Sequence, residues 1–167
     1  MHRYKGSAYV VVIMLTAVLS IIGLGILSIA VSDYNMVVAD NDLHDAYYIA
    51  DGGATAAFYE LKSYLQSIYE EVYLEALSNN DIPIDRYIEQ HFYSNIPPSY
   101  TRRIDFSDGK DRYSNVKVVF TPSNKTYSIV SEGHVKNAIS KINVLLVVSA
   151  ALDDNTLLSI KSWKEVR

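Results

Sequence analysis

The N-terminal stretch of the chain is apolar over a long, unbroken run. From Ser7 to Val31 the sequence contains no charged residue, and the first acid that follows is Asp33. At about 1.5 Å of rise per residue, a helix over 7–31 is roughly 37 Å long, whereas the hydrocarbon core of a bilayer is about 30 Å thick. The pattern therefore predicts one membrane-spanning helix.

Behind this stretch the apolar residues recur at helical spacing. Steps of three and four residues are typical of an amphipathic helix, and they join Leu43, Tyr47, Ala50, Ala54, Phe58, Leu61, Leu65, Ile68 and Val72. No proline occurs before Pro83, so we expect the same helix to continue as an amphipathic segment over 32–80. The pair Gly52-Gly53 is the expected place for a kink or a close contact.

The second half of the chain alternates between apolar and polar residues, which is typical of β-strands. Before the strands, the pattern predicts a short helix over 84–92, a loop over 94–98 and an irregular or partly extended segment over 100–115. Strands are expected over 116–120, 127–135, 139–150 and 157–166. The strand that begins at Ile139 is apolar on both faces, so we expect it to be central or covered.

Together these elements predict an α+β fold, in which a long N-terminal helix packs on a small antiparallel β-sheet. One face of a β-meander has to be covered, and the amphipathic half of the helix has the apolar stripe to cover it. The expected organisation is a leader at 1–6, a membrane-spanning helix at 7–31, an amphipathic helix at 32–80 and a globular head at 81–167.

The distribution of charge predicts the orientation of the span in the membrane. His2, Arg3 and Lys5 precede the apolar stretch, and the next Lys or Arg is Lys62. Because positive charge is enriched on the cytoplasmic side of membrane spans, we expect the N-terminus inside and the head outside. The net charge of −4 argues against nucleic acid as a partner, and the absence of cysteine excludes a disulfide framework and thiolate chemistry.

Two groups of polar residues resemble metal sites, but each has a simpler interpretation. Asp40 and His44 are four residues apart on the predicted helix, with Asp51 further along, yet a solvated acidic helix face explains all three. The acids from Asp105 to Asp111 do not follow the EF-hand spacing and lack its bidentate glutamate, so turn chemistry is the simpler interpretation of this loop.

Signals of covalent chemistry are equally weak. The sequence Asn124-Lys125-Thr126 matches an N-glycosylation acceptor, a short motif that also arises by chance. His91 and His134 lie outside any recognisable nucleophile motif. We therefore expect no catalytic residue, no metal, no cofactor and no enzymatic activity.

A more specific pattern lies at the two ends of the apolar stretch. The chain begins with MHRYKG, a short basic segment that ends in Gly6, and the segment AYYIADGGATAAFYEL follows the span at 46–61. The first resembles a prepilin leader, and the second resembles the A-x-x-A-E-A-G segment of PilX-type minor pilins. The hairpin at 126–148 and the closing SIKSWKEVR are also similar to this type IV pilin-like family, whereas 81–114 has no counterpart.

The resemblance assigns roles to individual residues. It implies that prepilin peptidase cuts between Gly6 and Ser7, and it places Asp51 and Gly53 at the acid and the glycine of the minor-pilin segment. The sequence departs from shaft-forming pilins at Val11, the fifth residue after the cut, where those proteins carry a glutamate. It also has Ser7 where phenylalanine is usual, which leaves N-methylation of Ser7 open.

The function that the resemblance implies is a minor pilin or pseudopilin subunit with a tip, initiation or accessory role. The filament would be a type IV pilus or belong to a related secretion system. Expected partners are other pilin subunits through the N-terminal helix, prepilin peptidase and the membrane. The protein would span the membrane once and then join a cell-surface filament. The sequence leaves open a membrane-anchored extracellular binding domain, and a domain secreted after cleavage behind Ala30.

Overall fold

A computed structural model of the chain describes residues 5–78, 82–106, 111–150 and 157–166, with side chains from residue 8 onwards. Its elements in chain order are α1 (Lys5–Ser78), α2 (Ile84–Asn95), β1 (Ser99–Asp105), β2 (Arg112–Thr121), a short 3-10 helix (Pro122–Asn124), β3 (Thr126–Val135), β4 (Ala138–Val148) and β5 (Leu158–Val166). All neighbouring strands are antiparallel, in the order β1-β2-β3-β4-β5. The α+β class and the antiparallel meander are confirmed.

The chain divides into two compact units, 1–41 and 42–167. In the first unit the described part is the N-terminal portion of α1, and its side chains from Ala8 to Val37 are exposed. The second unit contains the rest of α1, α2 and the five strands. The hydrophobic core described below belongs to this second unit.

The apolar stripe of α1 forms one side of the core. Most of the predicted positions are buried, and the sheet supplies the opposing side chains, which alternate along the strands: Val116, Val118, Tyr127, Ile129, Ile142, Val144 and Leu146. Burying one such Leu, Ile or Val side chain contributes about 1.5–3 kcal/mol. The prediction fails at Leu43, which is 46 % exposed, because α1 turns the small residue Ala46 to the sheet instead.

The paired glycines do not interrupt the helix. α1 is helical through Gly52 and Gly53, and the close contact expected there is present. α1 is described as far as Ser78, and its predicted end at residue 80 lies outside the described residues.

Two segments between the helices and the strands differ from the predictions. α2 continues to Asn95, three residues beyond the predicted end, and stops where Ile96 adopts an extended conformation ahead of two prolines. The segment predicted as irregular or partly extended contains β1, and β2 begins at Arg112 rather than Val116. The strand β4 lies between β3 and β5, so the prediction of an interior strand is confirmed.

Candidate functional site

The N-terminal portion of α1 presents apolar side chains on all sides. Over residues 8–31 every described side chain is exposed, and the helix contains a stretch long and apolar enough to span a membrane. The hydroxyls of Thr16 and Ser20 donate to the helix's own carbonyls, at 2.9 Å to Ile13 and 2.8 Å to Thr16. These two polar groups are satisfied within the helix, as a lipid environment requires.

The residues of the predicted processing site lie at the start of this helix. Gly6 and Ser7 belong to the first turn of α1, and residues 1–4 of the leader lie outside the described part of the chain. Val11 is exposed on the helix surface. The glycines within the span have open surroundings, since a Cβ added at Gly23 or Gly25 would meet nothing within 4 Å.

Asp51, the acid of the minor-pilin-like segment, connects α1 to the last strand. The indole Nε1–H of Trp163 donates to Asp51 Oδ1 at 2.9 Å, and both side chains are partly buried. Trp163 lies on β5 opposite Val144. A hydrogen bond to a charged acceptor is stronger than one between neutral groups, so this contact helps to hold β5 against the helix.

Gly53, the glycine of the same segment, lies against two buried serines. Ser131 Oγ donates to the carbonyl of Ala50 at 2.6 Å and is 2.7 Å from Ser114 Oγ. A Cβ added at Gly53 would lie 2.7 Å from Ser131 Oγ and would also collide with Ser114. A side chain at this position therefore competes directly with the hydrogen-bonded serine pair.

Gly133, in the sheet, also lies at the contact between α1 and β3. A Cβ added at Gly133 in β3 would meet the carbonyl oxygen of Ala46 and the backbone nitrogen of Ala50. The helix backbone therefore lies directly on β3, with small residues on both sides. The sequence pattern predicts a contact at the helix glycines but does not indicate Gly133 or the serines, because the pattern consists of large apolar residues.

Two acidic residues of α1 form ion pairs with basic residues of the head. Asp42 accepts from Lys136 Nζ at 2.9 Å, and Asp45 accepts from Arg112 at 2.7 Å. Both are exposed pairs with basic residues of the head and contribute at most about 1 kcal/mol each. The interpretation as a solvated acidic face, made for Asp40, His44 and Asp51, does not hold for Asp51, which is partly buried and accepts from Trp163. Among the described residues, no group of three or more His, Cys, Asp or Glu is arranged to hold a metal ion.

The two histidines singled out in the sequence pack against neighbouring tyrosines. His91 stacks on Tyr87 with ring centroids 4.0 Å apart, and His134 stacks on Tyr113 at 4.6 Å. Asn124 is exposed in the 3-10 turn between β2 and β3. In the loop that resembled a calcium site, Asp105 accepts from Arg103 Nε at 2.9 Å, and residues 107–110 lie outside the described part.

A groove between α1 and β1 is a feature that the sequence did not indicate. Its cavity of about 220 Å³ is mostly apolar and is lined by Glu60, Leu61, Tyr64, Pro97 and Tyr100. α1 contributes Glu60, Leu61 and Tyr64, and only Leu61 belongs to the predicted apolar stripe. Pro97 comes from a predicted loop, and Tyr100 comes from a segment predicted as irregular or partly extended.

Hydrogen bonds and charge define the polar side of this groove. The hydroxyl of Tyr127 donates to the Pro97 carbonyl at 3.0 Å, and Arg102 pairs with Glu60 at 2.8 Å. The hydroxyl of Tyr100 is buried and has no hydrogen-bond partner among the described residues. Burial raises the pKa of Tyr100, and the charge of Glu60 raises that pKa further, so this hydroxyl stays protonated and able to donate at neutral pH.

No protein-family model, curated protein or solved structure matches this chain. A function therefore has to be argued from the fold and the contacts above.

Proposed function

We propose that the chain is a minor pilin or pseudopilin subunit, held in the membrane by residues 7–31 before it joins a type IV pilus-like filament or a related secretion apparatus. The observation that carries the proposal is the composition of α1. Over 8–31 this helix exposes apolar side chains on all sides, and from Ala46 onwards it buries a stripe against a β-sheet.

The exposed apolar surface restricts where this protein is stable. Transferring apolar surface to water costs roughly 25 cal/mol per Å², so residues 8–31 need lipid or other apolar helices around them. A helix that is apolar on all sides suits both environments. It is therefore suited to a subunit that leaves the bilayer for a bundle of similar helices.

Two local features favour an accessory subunit of this kind. Val11 places an apolar side chain where a shaft pilin has a glutamate, so the subunit lacks the carboxylate that would pair with a neighbour's N-terminal amine. Asp51 and Gly53, which carry the resemblance to minor pilins, both contact the head closely. These contacts give the acid and the glycine a physical reason to occur in this segment.

A membrane-anchored extracellular binding domain is the second candidate function. The groove lined by Leu61, Tyr64 and Tyr100 favours it, because a partly apolar cavity with an unpartnered hydroxyl is suited to holding a ligand group. The two candidates share the span and the head. They differ in whether the N-terminal leader is removed.

Changing Gly6 to leucine tests the proposal through this difference. In Gly6→Leu, expressed with a prepilin peptidase, we expect the processed form to disappear and the full-length chain to accumulate in membranes, because a bulky side chain does not fit where the peptidase accepts glycine. Intact mass measures the loss of residues 1–6. The matched control is Gly25→Leu, which adds the same side chain in open surroundings and should be processed normally. Unchanged processing of Gly6→Leu would exclude the prepilin proposal.

A further inference from the structure

The outer side of β1 is an open sheet edge within the described structure. β1 is the terminal strand in the sheet order, and over Ser99–Asp105 it pairs with β2. The side chains of Ser99, Thr101, Arg103 and Asp105 are exposed. An uncovered edge strand presents unpaired backbone N–H and C=O groups, which are a template for another strand.

The hydrogen bonds at the two ends of β1 determine which groups point outwards. At one end the Phe120 N–H donates to the Pro98 carbonyl at 2.8 Å, and at the other the Phe106 N–H donates to the Arg112 carbonyl at 3.1 Å. Opposed residues in an antiparallel pair alternate between bonded and non-bonded. Even-numbered residues of β1 therefore bond to β2, and the outward N–H and C=O groups are those of Ser99, Thr101, Arg103 and Asp105.

The opposite edge of the sheet is less suited to accepting a strand. The pairing of β4 with β5 shifts register between Leu145 and Leu146, which leaves Lys161 as an extra residue in β5. Such a bulge disturbs the regular row of backbone groups and protects an edge from pairing. β1 pairs in continuous register and contains no proline, so it is the more receptive edge.

The groove lies directly beside this edge. Tyr100 of β1 lines it together with Leu61 and Tyr64 of α1, and Arg102, two residues further along β1, contacts Glu60 on the same helix. The cavity of about 220 Å³ is below the roughly 300–1,000 Å³ of small-molecule sites. Its size suits one side chain, and its place beside an open edge suits a side chain carried by an extended peptide.

We infer that β1 and the groove bind an extended segment of a partner protein, which adds a sixth strand to the sheet. Side chains on one face of a strand are two residues apart. An apolar side chain opposite Tyr100 enters the groove, and a carboxylate lies opposite Arg102. In an antiparallel strand this is the order acid-x-apolar. The buried hydroxyl of Tyr100 is available to donate to the incoming segment.

Charge favours an acidic partner strand over a second copy of the chain that pairs in the register centred on Arg102. Arg102 and Arg103 each bond one carboxylate, Glu60 and Asp105 respectively, and each guanidinium carries five N–H donors, so further donors are available to a ligand. In a symmetric β1–β1 pair centred on Arg102, two arginines would lie directly opposite each other. Like charges in that position are destabilising, whereas an acid there is stabilising.

The probe for this site is the peptide acetyl-Val-Thr-Glu-Thr-Leu-Thr-Lys-amide, titrated against the full-length protein in detergent micelles. We expect saturable binding in isothermal titration calorimetry and at least tenfold slower hydrogen exchange over 99–105. Replacing the peptide's glutamate by lysine should weaken binding at least fivefold. Methylating the backbone nitrogens of its first two threonines should abolish binding, because these residues oppose Arg103 and Thr101. No binding at 1 mM peptide, or equal binding of the methylated peptide, overturns the inference.

Variants of β1 test the same geometry from the protein side. Thr101→Pro removes an outward N–H that β2 does not use, so β1 stays paired while peptide affinity falls at least tenfold. Thr101→Ser keeps the N–H and should bind normally. Arg102→Glu supplies a second test that does not depend on a proline, because it should prefer the lysine-substituted peptide. Undiminished binding by Thr101→Pro, or an unchanged charge preference in Arg102→Glu, contradicts the inference, and neither result depends on processing at Gly6.

Discussion

Alanine at position 133 is expected to lower the free energy of unfolding of the head by about 3 kcal/mol, the upper end of typical overpacking penalties. The added methyl group would meet the carbonyl oxygen of Ala46 and the nitrogen of Ala50. Both obstacles are helix backbone, which cannot rotate aside as a side chain can. The helix would have to move away from β3 and would weaken the bond from Ser131 to the Ala50 carbonyl.

Denaturant unfolding of the full-length protein in micelles measures this loss. The single tryptophan, Trp163, provides the fluorescence signal and lies at the contact between α1 and β5. Gly25→Ala is the matched control, because the same methyl group there meets nothing within 4 Å and should change stability by less than about 0.5 kcal/mol. Equal unfolding midpoints for Gly133→Ala and Gly25→Ala would show that the helix does not lie on β3 as described.

Truncating Phe92 to alanine is expected to cost about 3–5 kcal/mol, the range for fully buried aromatic residues. Phe92 on α2 is completely buried and makes an edge contact with Tyr69 of α1, with ring centroids 6.0 Å apart. Its removal leaves a cavity between α2 and the rest of the core. We expect both a lower unfolding midpoint and faster hydrogen exchange in α2, since this side chain and Ile88 are the buried residues of that helix.

The control for Phe92→Ala is a truncation of an exposed aromatic residue. Tyr59 on α1 is 63 % exposed, so Tyr59→Ala should change the free energy of unfolding by less than about 0.5 kcal/mol. The same denaturant series compares the two variants. A loss below about 1 kcal/mol in Phe92→Ala would mean that α2 does not pack on the core through this residue.

The elements that the sequence predicted well are those built from large apolar residues. Leu61, Leu65 and Ile68 have helical spacing, and the strands that became β3 and β4 alternate at their core-facing positions. In both cases the period of the pattern follows from the geometry of the backbone. Large side chains repeat this period visibly, so the helix and the meander could be derived before any contact was known.

β1 could not be predicted in the same way. As an edge strand it exposes most of its side chains, and only Tyr100 and Ile104 are partly buried. Its sequence therefore lacks the strict alternation that marks a half-buried strand. The pairing with β2 defines it instead, and that pairing depends on residues far along the chain.

The hydrogen bonds and the glycine at the helix–sheet contact were missed for a different reason. Ser131 bonds a carbonyl 81 residues away, and Trp163 bonds an acid 112 residues away. A single sequence gives no register between such distant segments. Gly133 appears in the sequence as an ordinary strand glycine, and its need for close backbone approach becomes visible only when α1 is placed against β3.

The N-terminus of the mature protein is the most direct test of the proposed function. The protein is isolated from membranes of its natural host, and its intact mass and first residue are determined. We expect a chain that begins at Ser7, after removal of 1–6. An intact Met1 would contradict it and favour a simple membrane anchor, and a chain beginning at Val31 would contradict it in favour of a secreted domain.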